Sequence, residues 1–278
     1  METNYVTCKE YAELIKSQIK KEVDSIIKEG KDRPRLCVVQ LGDDQASNSY
    51  IIGKKKDCEE VGIGFQHIHL SESKCQKLSQ FNLAIMIKTI NQMESIHGII
   101  IQLPIPQKLD IEFFQQMISP IKDVDGFRKD SLHEPCTPKG IMDYLKYNSV
   151  DFSGKHCVVI GRSEIVGKPL VNMLIKEGAT VTCCNSKTKD IKKFTKDADI
   201  VISAIGKANY FDKSYFSDGQ ILVDVGINRD ENGKLCGDIC SDAKENKILA
   251  TSVPGGVGLL TRVALLQNVM NAYKGDKS

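Results

Sequence analysis

The length, composition and charge of this chain exclude several classes of protein. Its 278 residues are enough for one large or two ordinary domains, and 41% hydrophobic with 27% charged residues is typical of a soluble globular enzyme. A net charge of +2, six arginines and no tryptophan argue against a nucleic-acid partner, and no apolar run is long enough to cross a membrane. The first thirty residues also lack a secretory signal pattern, so we expect a cytoplasmic protein.

The first half of the chain predicts alternating helices and strands. A capping pattern at Thr7–Glu10 predicts the start of a helix that ends near Gly30. The run Gly98–Leu103 is apolar except for Gln102, which is typical of a strand buried on both faces of a parallel sheet. Around it we predict strands at 36–41 and 65–70, helices at 45–61, 81–93 and 111–118, and an irregular stretch at 119–138.

The second half continues the alternation, which predicts an α/β fold with parallel sheets. We expect two α/β units that separate near residue 140, with ligands in a crevice at the carboxyl ends of the strands. The predicted elements are helices at 139–147, 169–176, 190–197 and 260–273, and strands at 157–160, 180–184, 200–204 and 221–225.

A loop that follows the buried strand ending at Gly161 is the best candidate for binding phosphate. It runs through Arg162 and Ser163 to a helix near Pro169, and free N–H groups at a helix start attract anions. Taken alone, the loop is equally consistent with a plain strand–helix turn. An NAD site usually has an acidic residue about 20 residues further on. This chain has Ser186 and Lys187 there, which favours NADP without excluding NAD.

Three side chains with catalytic potential recur on one face of the helix predicted at 45–61. Ser47, Tyr50 and Lys54 follow helical spacing, although a surface Tyr/Lys pair at this spacing is also common. Gln102 ends the buried strand and needs a polar partner, while Asp125 precedes a glycine turn. A Tyr/Lys pair at this spacing is also found in short-chain dehydrogenases. In those enzymes the glycine loop precedes the pair, whereas here it follows the pair, which argues against that family.

No metal site is expected from the histidines or the cysteines. His67 and His69 alternate on one predicted strand without an evident third ligand. Most of the ten cysteines lie in apolar runs, which favours buried reduced thiols, and Cys236 and Cys240 have no histidine nearby.

These motifs occur in an order that resembles one family. They are Ser47–Cys58, Gln102–Pro104, Lys122–Phe127, Pro135–Gly140, Gly161–Pro169, Asp224–Asn228 and Pro254–Gly258. The whole chain resembles the bifunctional methylenetetrahydrofolate dehydrogenase/cyclohydrolases of one-carbon metabolism. One departure is that Leu259 and Leu260 stand where the family usually has Pro-Met.

The resemblance implies a role for each matching residue. Tyr50 would stack on the folate, and Lys54 would be the acid/base group, hydrogen-bonded by Gln102. Asp125 would bind the pterin. Further positions implied are Ser47, Pro254 and Gly255 for the substrate, and Gly161, Arg162, Ser163, Ser186 and Ile227 for NADP.

The resemblance also implies how the chain is organised. Residues 1–139 would form a folate-binding domain on which a C-terminal helix at 260–278 packs, and residues 140–259 a Rossmann-like nucleotide-binding domain through which two copies form a homodimer. Three alternatives remain at this point: a family member with only one activity, a nucleotide-binding regulator without turnover, and an unrelated dehydrogenase acting on amino or hydroxy acids.

Overall fold

The computed structural model describes residues 6–275 and divides them into two compact units. One unit contains residues 14–136 and 262–275, and the other contains residues 6–13 and 137–261. Residues 1–5 and 276–278, which fall within the predicted domains, lie outside the described residues. Between residues 6 and 275, no helix has both the length and the apolar character needed to cross a membrane.

The unit of residues 14–136 and 262–275 is built on a three-stranded parallel sheet. Its strand order is β2-β1-β3, so the first strand in sequence lies in the middle. The helices and strands that lie wholly or mostly in this unit are α1 (Cys8–Lys28), β1 (Arg35–Leu41), α2 (Gln45–Val61), β2 (Gly64–Leu70), α3 (Glu72–Lys77), α4 (Gln80–Gln92), β3 (Gly98–Gln102), α5 (Ile111–Gln115) and α9 (Val257–Lys274).

The core of this unit is apolar, but one buried carboxylate lies beside it. Side chains from β1 and β3 pack with α4 and α5 around the fully buried Phe114. Asp57 on α2 is 2% exposed and is paired with Lys16 at 2.6 Å and with Arg262 of α9. A buried charge of this kind persists because it is paired.

The unit of residues 6–13 and 137–261 is built on a five-stranded parallel sheet of order β10-β7-β6-β4-β5. The chain runs from β4 to β5 at one edge of the sheet and then crosses back to β6 on the other side of β4. The strand order therefore reverses at β4, which creates a topological switch point. The elements are α6 (Cys136–Tyr147), β4 (His156–Ile160), α7 (Gly167–Lys176), β5 (Thr180–Cys184), α8 (Ile191–Thr195), β6 (Ile200–Ser203), β7 (Ile221–Asp224), β8 (Asn228–Arg229), β9 (Leu235–Cys236) and β10 (Leu249–Ala250), with short 3₁₀ turns at Lys213–Tyr215 and Ser241–Lys244.

The predicted α/β class and parallel sheets are confirmed, whereas several predicted boundaries are wrong. Helix α6 begins at Cys136 rather than residue 139, inside the stretch predicted to be irregular, and α7 begins at Gly167 rather than Pro169. The short elements α3, β8, β9 and β10 were not predicted, because two to six residues carry too little periodicity to be recognised.

Residues 6–13 belong to a different unit from the rest of the predicted N-terminal domain. The Tyr11 ring packs edge-on against Tyr144 at 5.7 Å between centroids. The Tyr144 hydroxyl donates to the Val6 carbonyl at 2.9 Å, and the Val6 amide donates to Asn148 Oδ1 at 2.7 Å. These contacts with α6 join residues more than 130 positions apart, which helical periodicity does not reveal.

Candidate functional site

Helix α2 carries three of the predicted site residues. The Asp44 carboxylate caps its start by accepting from the Ser47 amide at 2.8 Å, and Gly62 ends it in a left-handed conformation. Ser47 is buried, and its hydroxyl lies within bonding distance of Asp44 and of the Leu103 carbonyl. The Tyr50 ring is half exposed, so one of its faces is available to a flat ligand.

Lys54 and Gln102 meet across the carboxyl end of β3. Lys54 Nζ donates to Gln102 Oε1 at 3.0 Å. Gln102 Nε2 donates to the Leu103 carbonyl at 2.8 Å, and this second bond requires the amide oxygen to face the lysine. The buried amide therefore holds the Lys54 amine at a defined position.

Asp125 reaches the same place because residues 122–125 run beside β3. The Ile99 amide donates to the Lys122 carbonyl at 2.8 Å, and Ile99 forms a parallel bridge with Asp123. Gly98 permits this approach, since a Cβ there would lie 2.8 Å from the Val124 side chain. The sequence alone placed Asp125 on a glycine turn but could not give its distance from Lys54.

The surroundings of the Asp125 carboxyl shift its pKa. Burial raises its pKa, the positive charge of Lys54 opposes that rise, and the negative charge of Asp123 adds to it. The unit therefore assembles an amine, a carboxyl group with a raised pKa and an exposed aromatic ring. Such a set can hold a polar heterocycle and move protons beside it.

Asp123 has a different role from its neighbour. It is 1% exposed, and its carboxylate accepts from the Arg128 backbone amide at 2.9 Å. It therefore organises the turn that follows, as acids in such turns commonly do.

The glycine loop after β4 has the close packing that a dinucleotide site requires. Gly161 has a φ of 121°, and a Cβ there would lie 2.4 Å from the Ala204 carbonyl oxygen. A Cβ on Gly167, the first residue of α7, would lie 2.2 Å from the Gly161 carbonyl oxygen. Arg162 and Ser163 between them are exposed, and α7 begins without a side-chain cap.

The turn after β5 lies beside this loop, since Gly161 N–H donates to the Cys184 carbonyl at 2.9 Å. Asn185 is occupied within the turn, where its side chain accepts from the Lys187 amide at 2.9 Å. Ser186 and Lys187 are exposed, and Asn185–Thr188 contains no carboxylate. A site of this composition suits an additional phosphate better than a bare ribose hydroxyl pair.

The remaining predicted positions lie on the same unit as the glycine loop. Ile227 is half exposed after β7, and its Cδ1 would be 3.8 Å from a Cβ on Gly258. Pro254 follows a cis peptide bond, and both it and Gly255 are exposed. Where the family usually has proline, Leu259 donates its amide to the Gly256 carbonyl at 2.9 Å, a bond that proline cannot make.

Two buried acids that sequence reasoning missed organise the loops beyond β6 and β7. Asp238 is fully buried and accepts four hydrogen bonds, from the Ser203 hydroxyl, the Ile205 and Lys207 amides and the Asn228 side chain, at 2.8–3.0 Å. Asp224, at the end of β7, accepts from the Asp238 amide and from the amine of a lysine on a nearby 3₁₀ turn. For Asp224, the available sequence signal was an acid at the end of a buried apolar strand.

The histidines and cysteines are used structurally. His67 Nε2 is 3.0 Å from Gln40 Oε1, and His69 Nε2 is 3.1 Å from the Gly42 carbonyl oxygen. All ten cysteines are free thiols, and seven of them are buried, as predicted.

Two family models match the chain and divide it between them. The catalytic domain of tetrahydrofolate dehydrogenase/cyclohydrolase matches residues 6–125. The NAD(P)-binding domain of the same family matches residues 135–277.

Curated proteins and solved structures are similar over nearly the whole chain. A bifunctional protein FolD of Bacillus licheniformis is 44% identical over 99% of this chain and 98% of its own length. A crystal structure of the bifunctional FolD enzyme of Campylobacter jejuni is 37% identical, with a TM-score of 0.92 over 96% of this chain and 97% of that one. The Trypanosoma brucei FolD structure, complexed with NADP and an inhibitor, is 29% identical with a TM-score of 0.89 over 98% and 97%.

Proposed function

The chain belongs to the tetrahydrofolate dehydrogenase/cyclohydrolase family, and from this membership we infer that it is a bifunctional enzyme of folate one-carbon chemistry. It oxidises 5,10-methylenetetrahydrofolate to the 5,10-methenyl cation with NADP, and adds water to that cation to give 10-formyltetrahydrofolate and a proton. The single observation that carries the proposal is the Lys54–Gln102 hydrogen bond beside Asp125, in a chain that also has the Gly161 loop.

Lys54 is the acid/base group of the hydrolysis. Water attack on the methenyl carbon releases a proton, and opening of the bridge requires one at the departing nitrogen. An amine that donates to Gln102 Oε1 at 3.0 Å keeps a fixed position through both transfers. Oxidation needs alignment of the one-carbon bridge more than it needs a proton carrier, so it depends less on this amine.

Asp125 and Tyr50 bind the folate. The carboxyl group accepts hydrogen bonds from the amino and ring N–H groups of the pterin, and the exposed ring of Tyr50 supplies a stacking surface. Ser47, which is buried, supports the start of α2 rather than the ligand directly, while the exposed Pro254 and Gly255 contribute to the substrate loop.

Replacing Asp125 with alanine tests the pterin assignment. Loss of a charge-assisted contact costs about 1.5–3 kcal/mol, so the dissociation constant for tetrahydrofolate should rise roughly 10- to 100-fold. Asp130→Ala, which changes an exposed acid on the same segment, is the matched control. Isothermal calorimetry measures both constants, and normal binding by Asp125→Ala would remove this residue from the site.

NADP is the preferred nucleotide. When bound, it accepts the hydride that leaves the one-carbon bridge. Gly161, Ser163 and Ile227 belong to the loops that surround the nucleotide. Arg162 and Ser186 bind its 2′-phosphate. The exposure of Arg162 and the lack of an acid after β5 support the phosphate role.

Replacing Arg162 with alanine tests this preference. The Michaelis constant for NADP should rise about tenfold or more, because one charge-assisted contact is lost, while use of NAD changes little. Lys168→Ala, which removes an exposed cation at the second position of α7, directly after the loop, is the control. An equal loss with both nucleotides would show that Arg162 does not distinguish them.

The overall assignment requires one assay that separates the two activities. Methylenetetrahydrofolate and either nucleotide are added, and methenyl absorbance is followed as it rises by oxidation and falls by hydrolysis. Methenyl formation without decay, or decay of added methenyl compound without formation, would reduce the assignment to one activity. Failure of both would refute it.

The larger organisation follows from the same family resemblance. The folate-binding domain is formed by residues 1–139 and 260–278, and the nucleotide-binding domain by residues 140–259, through which two copies form a homodimer. Of the substrate positions, Pro254 and Gly255 belong to the second domain. Sedimentation equilibrium tests the oligomer, and a monomer at micromolar concentration would refute it.

A further inference from the structure

A buried amide on α9 has no part in the function proposed above. Asn268 is fully buried, and its Nδ2 donates to the Val124 carbonyl at 2.9 Å and to the Glu134 carbonyl at 3.0 Å. Within residues 6–275 its Oδ1 has no hydrogen-bond partner. Only the donor side of the amide is used, so the site requires a donor and not merely a polar side chain.

The two carbonyls that Asn268 joins are the two sides of the loop that carries Asp125. The Val124 carbonyl belongs to the peptide group whose nitrogen is that of Asp125. On the other side, the Cys136 amide, two residues after Glu134, donates to the Asp125 carbonyl at 3.4 Å. Asn268 therefore fastens the loop at the peptide plane from which the Asp125 side chain projects.

The loop is closely packed around Gly126. Gly126 has a φ of 72°, and a Cβ there would lie 2.6 Å from the Glu134 carbonyl carbon. The Cys136 thiol donates to the Val124 carbonyl at 3.1 Å and lies 3.6 Å from Asn268 Nδ2. In so crowded a loop, removing the amide would rotate the Val124–Asp125 peptide rather than a distant part of the chain.

We propose that Asn268 is a positioning residue that aims the Asp125 carboxylate at the pterin. The proposal rests on the folate-binding role of Asp125 given above. Since Asn268 is buried behind the loop, it acts through the Val124 and Glu134 carbonyls, and α9 thereby contributes to folate affinity. Misplacing a binding group by about 1 Å can cost on the order of 100-fold.

Asn268→Ala should therefore change folate affinity and little else. The Michaelis constants for methylene- and methenyltetrahydrofolate should rise about tenfold, with kcat at saturating folate and the Michaelis constant for NADP within about twofold of wild type. A residue with a merely structural role would instead lower kcat, or raise the Michaelis constant for NADP along with those for the folates. Asn148→Ala, which removes an amide that also donates to a backbone carbonyl, should leave the folate constants unchanged.

A double-mutant cycle decides the proposal. Tetrahydrofolate binding is measured by calorimetry for wild type, Asn268→Ala, Asp125→Ala and the double variant. If Asn268 acts through Asp125, the alanine at 268 has no further effect once Asp125 is gone. An additive loss would overturn the positioning role and leave Asp125 in place. Normal binding by Asp125→Ala would instead overturn the proposed function on which the inference rests.

A second pair of variants covers the case in which Asn268→Ala does not fold. Asn268→Ser retains one donor, which can reach one of the two carbonyls, and should restore part of the folate affinity. Asn268→Asp keeps the shape but places an acceptor against two carbonyl oxygens, and should lose at least as much affinity as alanine. Equal folate affinity for the serine and aspartate variants would overturn the proposal.

Discussion

Replacing Lys54 with methionine should separate the two activities. The substitution keeps the length of the side chain but removes the amine that donates to Gln102 Oε1 at 3.0 Å. Gln102 is 7% exposed, so the loss of its partner should destabilise the fold by about 1–3 kcal/mol, less than unfolding requires. Hydrolysis should fall about 10²–10⁴-fold, the usual contribution of a positioned proton carrier.

Lys54→Arg distinguishes proton transfer by Lys54 from the effect of its positive charge. Arginine keeps a cation that donates to Gln102, but it does not release a proton in proteins. It should therefore bind folate and still lose the hydrolysis. Lys56→Met is the control, because this exposed lysine lies two residues on and about 200° around the helix.

Two absorbance measurements check these variants. Methenyl compound should accumulate when methylenetetrahydrofolate and NADP are supplied, and added methenyl compound should decay only at its uncatalysed rate. Wild-type hydrolysis by either Lys54 variant would remove this residue from the mechanism. Loss of both activities in proportion would instead show that Lys54 binds folate and does not transfer the proton.

Three further predictions concern stability and cofactor binding. Asp57→Ala leaves two cations without their shared buried carboxylate and should lower the free energy of unfolding by about 3 kcal/mol in urea titrations; a loss under about 1 kcal/mol would contradict this. Burial, reinforced by the positive charges of Lys122 and Arg35, lowers the pKa of His97. As the pH falls, the unfolded chain therefore binds a proton at this histidine before the folded chain does. The free energy of unfolding should fall below about pH 6.5, by at most about 1.4 kcal/mol per pH unit. Thermal midpoints measured against pH should therefore vary less in His97→Gln, and an unchanged slope would refute the assignment. Asp238→Asn places a donor against donors and should raise the NADP constant about tenfold while hydrolysis of added methenyl compound persists; loss of both would indicate general unfolding.

Much of the fold was predictable because its signals are local. The strands β1, β3 and β4 are short apolar runs bounded by turn residues, and their alternation with helices requires parallel pairing. Helix α2 is marked at both ends, by the Asp44 cap and by Gly62, so its predicted bounds agree with the structure. The start of α6 was missed because Pro138, at its third position, reads as a breaker although proline is tolerated in a first turn.

The same distinction applies to the candidate site. Ser47, Tyr50 and Lys54 share one helix, so their spacing brings them together in any sequence-based view. The meeting of Lys54 with Gln102 joins residues 48 positions apart. The position of Gln102 in a buried strand predicted only that it needs a polar partner, and the family resemblance identified that partner as Lys54. No comparable constraint indicated that the Asp125 carboxyl lies close enough to Lys54 for their charges to interact.

The residues that sequence reasoning missed hold backbone groups, and this explains why they were missed. Asn268 bonds a carbonyl 144 positions away, and Asp238 bonds a backbone amide 33 positions away, with neither contact dictated by a period or a turn rule. Because every residue type has a backbone group that can form a hydrogen bond, the sequence contains no complementary side chain that would reveal such a contact. Side chains that act on the ligand must have particular chemistry and are recognisable as motifs, whereas side chains that aim them need only a donor or acceptor in the right place. Substitutions of the first kind should therefore remove a chemical step, and substitutions of the second kind should weaken binding while the step survives.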